Sequence, residues 1–591
     1  MQNRHIQTIL LTILVTMLLY ACANVVAPTG GPRDEDPPRV IRSTPPNFST
    51  NFDDDQIRIF FDEFVRLQNI RQQLLVSPPL EKTPEVRIRG RSIIIEIEEE
   101  LRPNSTYNLF FGDAIRDITE GNAIPNFQFV FSTGDYVDSL SVRGQVTNAF
   151  HHDPEEGVYV MLYDNLNDSV PYLERPVYLA KTDKEGRFLI SNMADGEYLM
   201  FALRDNNANF LYDLPDEKIA FIDSLVRPEY VEPLPTALEV PGQQPESTEN
   251  GIPDEELQWL EVEDTAPKPE EAPETRATHH TLYLFQEADT LQRITSATLI
   301  KRGLLAISFR IPYDSAHVRE IRQPFDKNWH IPEFNTTKDT LKIWFPETAR
   351  DSLFLEILDR DIILDTIARS TTPRASRDRT TEADTLPKAL NISFNYRRAT
   401  AVPFFQPLGI ISEHPLQTFE PSKIELLAHD SIPVETNLHF KDDVRRTVLL
   451  EPLPEEGTPY GINIMPGAFT DIFGLTNDTI QTRFSTTTVE NYGNLIVVLT
   501  LPEQEQQYVL QLLDRDRNVL RKKIIHKDGT YKFEHLSAGN YGLRLFHDIN
   551  ENIRWDTGNY LEKIQPEPVF MFPENIQIRE NWDVEVPFEL P

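Results

Sequence analysis

A single cysteine in 591 residues excludes any intrachain disulfide and any Cys-rich zinc site. Basic residues are also short: 57 Lys and Arg face 93 Asp and Glu, for a formal charge of −36. Phosphates need a basic face, so this balance excludes nucleic acid as a partner of the chain as a whole. An anionic membrane surface would repel it too. Glycine is scarce (23) and proline plentiful (45), which argues against Gly-rich flexible or collagen-like sequence. No G-x-S-x-G, H-E-x-x-H or G-x-x-x-x-G-K pattern occurs, so the chain carries none of these catalytic signatures. Helical periodicity is short and interrupted, as at residues 64–75. After the first 21 residues there is no long apolar run.

What is present begins with an address. Arg4 and His5 precede an apolar run from Ile9 to Tyr20, too short to cross ~30 Å of hydrocarbon as a helix. The run ends Leu19-Tyr20-Ala21-Cys22. This resembles a bacterial lipobox, which implies cleavage of a signal peptide at residues 1–21 and lipid on Cys22. Acyl chains at ~0.8 kcal/mol per buried methylene would then hold the protein to a membrane. Residues 22–36 form a tether. Surface-displayed Bacteroidota lipoproteins carry an acidic tag after the cysteine. Here Ala23-Asn24-Val25-Val26-Ala27 has no acid, which implies an outer-membrane anchor facing the periplasm.

The length implies about four to six domains. Strand patterns recur about every ten residues. Ile57-Arg58-Ile59-Phe60-Phe61 is one. Val86-Arg87-Ile88-Arg89 and Ser92-Ile93-Ile94-Ile95-Glu96-Ile97 read as a hairpin around Gly90-Arg91. The fold class is all-β: tandem Ig-like β-sandwich modules with an acidic Pro-rich linker.

Two repeats organise the strands. In the first, Tyr107-Asn108-Leu109-Phe110-Phe111 matches Tyr460-Gly461-Ile462-Asn463-Ile464. Asp117 with Gly121 matches Asp471 with Gly474. Phe131-Ser132-Thr133 matches Phe484-Ser485-Thr486. With the opening Pro37-Pro38-Arg39-Val40 and Asp62-Glu63, residues 37–135 resemble the bacterial Ig-like domain of S-layer and envelope proteins, the SbsA Ig-like type. Residues 398–488 are a second copy. In the other repeat, Gly186-Arg187-Phe188-Leu189-Ile190 matches Gly529-Thr530-Tyr531-Lys532-Phe533, and Gly196-Glu197-Tyr198 matches Gly539-Asn540-Tyr541. Residues 138–228 and 490–591 resemble carboxypeptidase-regulatory or prealbumin-like sandwiches. That resemblance implies spacers or binding modules.

Residues 231–279 are rich in Glu and Pro and cannot bury enough apolar surface to order, so they read as a disordered acidic linker. Residues 280–397 form a further β-rich domain, with strands at residues 281–285, 304–311 and 341–345. His151-His152 and His279-His280 read as exposed loop residues. Asp-Ser/Thr-aliphatic triplets, such as Asp138-Ser139-Leu140 and Asp223-Ser224-Leu225, resemble the O-glycosylation acceptor of exported Bacteroidota proteins.

One constellation carries chemistry. Asp205, Asn207, Asn209 and Asp213 form D-x-N-x-N-x-x-x-D, and so do Asp548, Asn550, Asn552 and Asp556. Oxygens at positions 1, 3, 5 and 9 can converge on one hard cation, which suits Ca²⁺ in a structural role. Position 6 is Phe210 or Ile553 where an EF-hand has glycine. The alternative is a set of Asx-turns. The resulting expectation is a non-enzymatic, lipid-anchored cell-envelope protein. Its partners are the membrane, through the anchor, and an envelope protein or glycan. The alternatives are a carbohydrate-binding or carbohydrate-processing lipoprotein, favoured by an exposed row of Trp and Tyr, and an assembly factor for an envelope machine.

Overall fold

The computed structural model describes residues 34–590 except 231–277, 290, 323–328, 347–351, 372–388, 397–400, 430 and 502–504. The signal peptide, Cys22, most of the tether and nearly all of the acidic linker lie outside the described residues. The remainder is almost entirely strand and turn. Its α-helices are the single turns Ile70–Gln73 and Val170–Leu173. Two units are distinguished: Met1–Asn148 with Asp153–Leu284, and Ala149–His152 with Phe285–Pro591.

The first unit opens with a seven-stranded sandwich. Counted in chain order without a small two-stranded ribbon, its strands form one sheet in the order first-second-fifth-fourth: Val40–Thr44, Gln56–Phe61, Ser92–Glu96, Glu85–Ile88. The other sheet is third-sixth-seventh: Leu75–Ser77, Thr106–Gly112, Phe127–Ser132. This is the strand order of a constant-type immunoglobulin domain. Period-two alternation fills the core. Ile57, Ile59 and Phe61 from one sheet meet Leu109, Phe111 and Phe129 from the other. The hairpin pairs Val86 with Ile95 and Ile88 with Ile93, turning at Gly90, whose φ is +64°.

The repeat motifs have physical reasons. Tyr107 stacks on Phe131 with ring centroids 5.4 Å apart, and its hydroxyl accepts the Arg102 N–H at 2.8 Å. Tyr460 stacks on Phe484 at the same distance, and its hydroxyl accepts the Glu455 N–H at 2.9 Å. This is the tyrosine corner of immunoglobulin-like sandwiches. Thr133 and Thr486 each close the end of the last strand by accepting a backbone N–H, from Ser105 and Thr458. Asp117 and Asp471 are buried turn caps. Asp117 accepts the N–H groups of Glu120, Gly121 and Asn122, and Asp471 those of Phe473 and Leu475. Burial pushes the Asp117 pKa up, but the N–H donors of the turn outweigh it and hold the carboxyl below its ordinary value.

The second unit holds two sandwiches built on this order, one of them with an added eighth strand, Ile432–Val434, at the edge of its second sheet. Residues 398–488 lie within the one whose sheets run Ile392–Phe394, Leu408–Ser412, Thr447–Glu451, Asn437–Phe440 and Ile432–Val434, Ile424–Ala428, Pro459–Ile464, Ile480–Ser485. The other is the domain with no family resemblance in its sequence. Its sheets are Ile294–Lys301, Leu304–Phe309, Thr340–Trp344, Ile331–Phe334 and His317–Glu320, Ser352–Asp359, Ile362–Ser370. They repeat the first-second-fifth-fourth and third-sixth-seventh order. This domain lacks the tyrosine corner and the Phe-Ser-Thr ending, so its sequence carried no sign of the kinship.

The two sandwiches expected to be prealbumin-like also share one order, fourth-first-seventh against third-second-fifth-sixth, counted without the short strand Ile576–Ile578. In the second unit the seventh strand, Asp583–Glu589, runs parallel to Gly493–Thr500. In the first unit the seventh strand is His279–Leu284, parallel to Leu140–Asn148. This corrects two expectations. The strand near residues 281–285 does not open the next domain, and His279 and His280 are strand residues. Leu282 and Leu284 are buried in the core of the first prealbumin-like sandwich, which is why the strand belongs there. Residues 231–277 are therefore an insertion within a sandwich, not a spacer between two. The ends of the insertion are tied: Glu229 accepts the Thr278 N–H at 2.9 Å and its hydroxyl at 2.7 Å.

Candidate metal-binding loops

Each Asp/Asn loop joins the fifth and sixth strands of a prealbumin-like sandwich. The first follows Leu199–Arg204 and the second follows Gly539–His547. Asp205, at position 1, gathers the loop around its carboxylate. Oδ1 accepts the N–H groups of Asn207 and Ala208 at 3.0 and 2.6 Å, and Oδ2 accepts that of Phe210 at 2.8 Å. Asp548 does the same for Asn552 at 3.0 Å and Ile553 at 2.8 Å. Positions 3 and 5 accept N–H groups two residues on: Asn207 from Asn209 and Asn209 from Leu211, then Asn550 from Asn552 and Asn552 from Arg554. These are Asx-turns in series.

Asn207 and Asn209 both reach the closing Asp213, at 3.1 and 2.8 Å. Asn550 and Asn552 reach Asp556, each at 2.6 Å. In each copy the two amides thus meet the closing carboxylate through their NH₂ groups, while the first Asp holds backbone N–H groups. The amide oxygens are held by the Asx-turns, so a hard cation that took them as donors would displace those N–H groups. Among the described residues no group of three or more His, Cys, Asp or Glu side chains could hold a metal ion. The donor set of each loop is mixed, two Asp and two Asn.

The missing glycine at position 6 has an explanation. Phe210 and Ile553 adopt left-handed backbone at φ 62° and 63°, and position 4 does too, with Ala208 and Glu551 at 59°. A side chain there costs about 1–2 kcal/mol. What it gains is an anchor: Phe210 packs edge-on against Tyr159, and Ile553 packs with Val509, Phe546 and Trp555.

Sequence reasoning missed one residue per copy. Glu217 is fully buried, and accepts the N–H groups of Asn206, Asp213 and Leu214 at 3.0–3.1 Å. Glu567 accepts those of Ile549 and Asp556 at 2.8 and 3.0 Å. Each glutamate holds the same two points, loop positions 2 and 9. Glu217 follows Asp213 by four residues and Glu567 follows Asp556 by eleven, so no fixed spacing revealed them. Burial pushes the Glu567 pKa up, and the carboxylates of Asp556 and Asp548 add to this against two backbone hydrogen bonds.

Other predicted features fall elsewhere. Cys22 lies outside the described residues. Ser139 and Ser224 of the Asp-Ser-Leu triplets are exposed. Among the described tryptophans only Trp582 is exposed, Trp344 is buried, and Trp329 and Trp555 are intermediate, so they form no exposed row. No described helix is long and apolar enough to cross a membrane.

Residues 34–133 match the family model of the bacterial Ig-like domain. The first sandwich is similar to that family. No curated protein matches the chain. Among solved structures, alpha-2-macroglobulin from Escherichia coli aligns at 12% identity over 44% of this chain and 94% of its own, with a TM-score of 0.18. The major pilin subunit BcpA of Bacillus cereus aligns at 10% identity over 76% and 99%, with a TM-score of 0.13. The S-layer protein SbsC aligns at 9% identity over 91% and 66%, with a TM-score of 0.12. Overlaps this loose add nothing to the strand order, which makes the chain an all-β array of Ig-like and related sandwiches.

Proposed function

We propose that this chain is a non-enzymatic scaffold of the bacterial cell envelope, anchored by lipid on Cys22 to the outer membrane and facing the periplasm. The observation that carries the reading is the doubled pairing of an Ig-like with a prealbumin-like sandwich. The buried polar residues that its repeats share cap turns and strand ends. Such modules set distance and present surface for an envelope protein or glycan. In a bacterial host, Cys22→Ser should move the protein from the membrane to the soluble fraction. A variant still bound after a carbonate wash would sink the anchor.

A structural calcium ion in each Asp/Asn loop belongs to the same reading. It is supported by two loops with one geometry, left-handed backbone at the same two positions, and Glu567, whose pKa is raised by burial and further by Asp556 and Asp548. A cation would relieve that repulsion and offset the backbone strain. At about a hundredfold excess over Kd, calcium would stabilise the fold by about 2.7 kcal/mol. The full chain should melt higher in calcium than in chelator, and Asp205→Ala with Asp548→Ala should remove the difference. Identical melting curves for the unmutated chain would leave Asx-turns alone.

A further inference from the structure

The C-terminal sandwich carries a basic edge in a strongly acidic protein. From Arg517 to Lys527 there are five Lys and Arg and no Asp or Glu, in a chain of net charge −36. The stretch contains Val519–Ile525, which lies at the end of its sheet and pairs only with Tyr508–Leu513. Among the described residues its other edge forms no ladder. Arg521, Lys522 and Lys523 line a shallow groove of about 240 Å³ with Lys532, Phe533, His535 and one acid, Glu534, which pairs with Lys532 at 3.4 Å. Among the described residues no carboxylate lies within ion-pair distance of Arg521, Lys522 or Lys523. The Arg521 guanidinium donates to backbone carbonyls of the facing strand, and Lys523 sits 5.5 Å from the Phe533 ring centroid. Val519, Leu520 and Ile524 interleave with these cations and are 45–49% exposed.

The same strand in the other prealbumin-like sandwich is Tyr178–Lys181. It has one basic residue, and its first three residues are buried. A basic edge is thus no requirement of the fold. Lysines on an edge do block unwanted pairing, and here they exclude a second copy of the same strand, which would set like charges opposite one another. They select for the opposite sign.

We propose that Val519–Ile525 is a docking edge for an extended acidic peptide segment of a partner protein, added as a further strand. The free backbone edge supplies hydrogen bonds, the cations meet alternate carboxylates, and Leu520 and Ile524 offer apolar contact to the residues between. A bare anionic surface would use the charge but not the backbone row or the aliphatic side chains.

The test uses the chain carrying Cys22→Ser, so that no acyl chain contributes. The probe is a fluorescein-labelled peptide of about four Glu-Val repeats, long enough to cover one strand. It should bind, and Arg521→Glu with Lys523→Glu should weaken it by about tenfold or more. A Glu-Pro repeat of equal charge cannot donate to a ladder and should bind far less well. If the double variant melts lower than its parent, Lys523→Glu alone decides instead, because among the described residues no hydrogen bond or ion pair engages its ammonium and it shares a strand face with Arg521. No binding of the Glu-Val peptide, equal binding of the Glu-Pro peptide, or indifference to the charge reversals would each overturn the proposal. So would binding to phosphatidylglycerol vesicles without binding to the peptide.

Discussion

The sandwiches that carry the Asp/Asn loops have one strand order but reach it by different routes. In the C-terminal copy the last strand, Asp583–Glu589, follows soon after Ile576–Ile578. In the first copy residues 231–277 intervene before His279–Leu284 takes the same parallel place. Closing a loop of this length costs about 2 kcal/mol more than closing a short one, since the cost grows only with the logarithm of length. Burying two leucine side chains contributes about 1.5–3 kcal/mol each. The leucines outweigh the loop, so the first sandwich tolerates the insertion.

That balance can be broken from either side. The largest effect should come from Leu284→Ala, which should cost about 2–5 kcal/mol in chemical denaturation, with no matching loss in the C-terminal sandwich. Gly144→Val should act similarly, because a Cβ at residue 144 would meet the His280 carbonyl oxygen at 2.0 Å and push the strand away. The opposite change is to remove residues 232–276 and join the ends with a short turn. Because Glu229 already holds Thr278, the joined chain should gain up to about 2 kcal/mol. Proteolysis within 231–277 sharpens the same point. The two pieces should stay together on a native sizing column and separate in denaturant. Separation without denaturant would mean that the parallel strand contributes little.

Smaller effects test the likeness of the copies. Tyr198 donates to the Ala194 carbonyl at 3.0 Å, and Tyr541 to that of Ser537 at 2.8 Å. Tyr→Phe at either position should cost about 1 kcal/mol, and equally in both. The smallest effect concerns Glu229. Its hydrogen bonds from Thr278 hold its pKa below the ordinary glutamate value. The clamp should therefore contribute fully above that value and fade as pH falls through the lowered one. Glu229→Gln should flatten this part of the acid titration of stability in the first sandwich, read by amide exchange at Thr278.

How much was legible depended on whether a residue acts locally. Asp117, Tyr107 and Thr133 bond to backbone within a few residues or across one strand pair, so their motifs recur with fixed spacing. The repeated Asp/Asn loops were legible for the same reason. Glu217 and Glu567 were not, because the segment between them and the loop differs in length between copies. The strand near 281–285 was seen as a strand, but its partner was not. Alternation says which face is buried and not which sheet buries it.

Patterning along the chain was enough to show that this protein is a run of short, half-buried strands and where its Ig-like corners and turns fall. These follow from period-two patterning and short-range hydrogen bonds, both written in neighbouring residues. Only the tertiary structure decided that His279–Leu284 completes a sandwich begun at Leu140, that a third domain shares the immunoglobulin strand order, and that Val519–Ile525 is an edge. Each of these depends on which strand lies beside which, a choice made by burial between segments far apart in the chain.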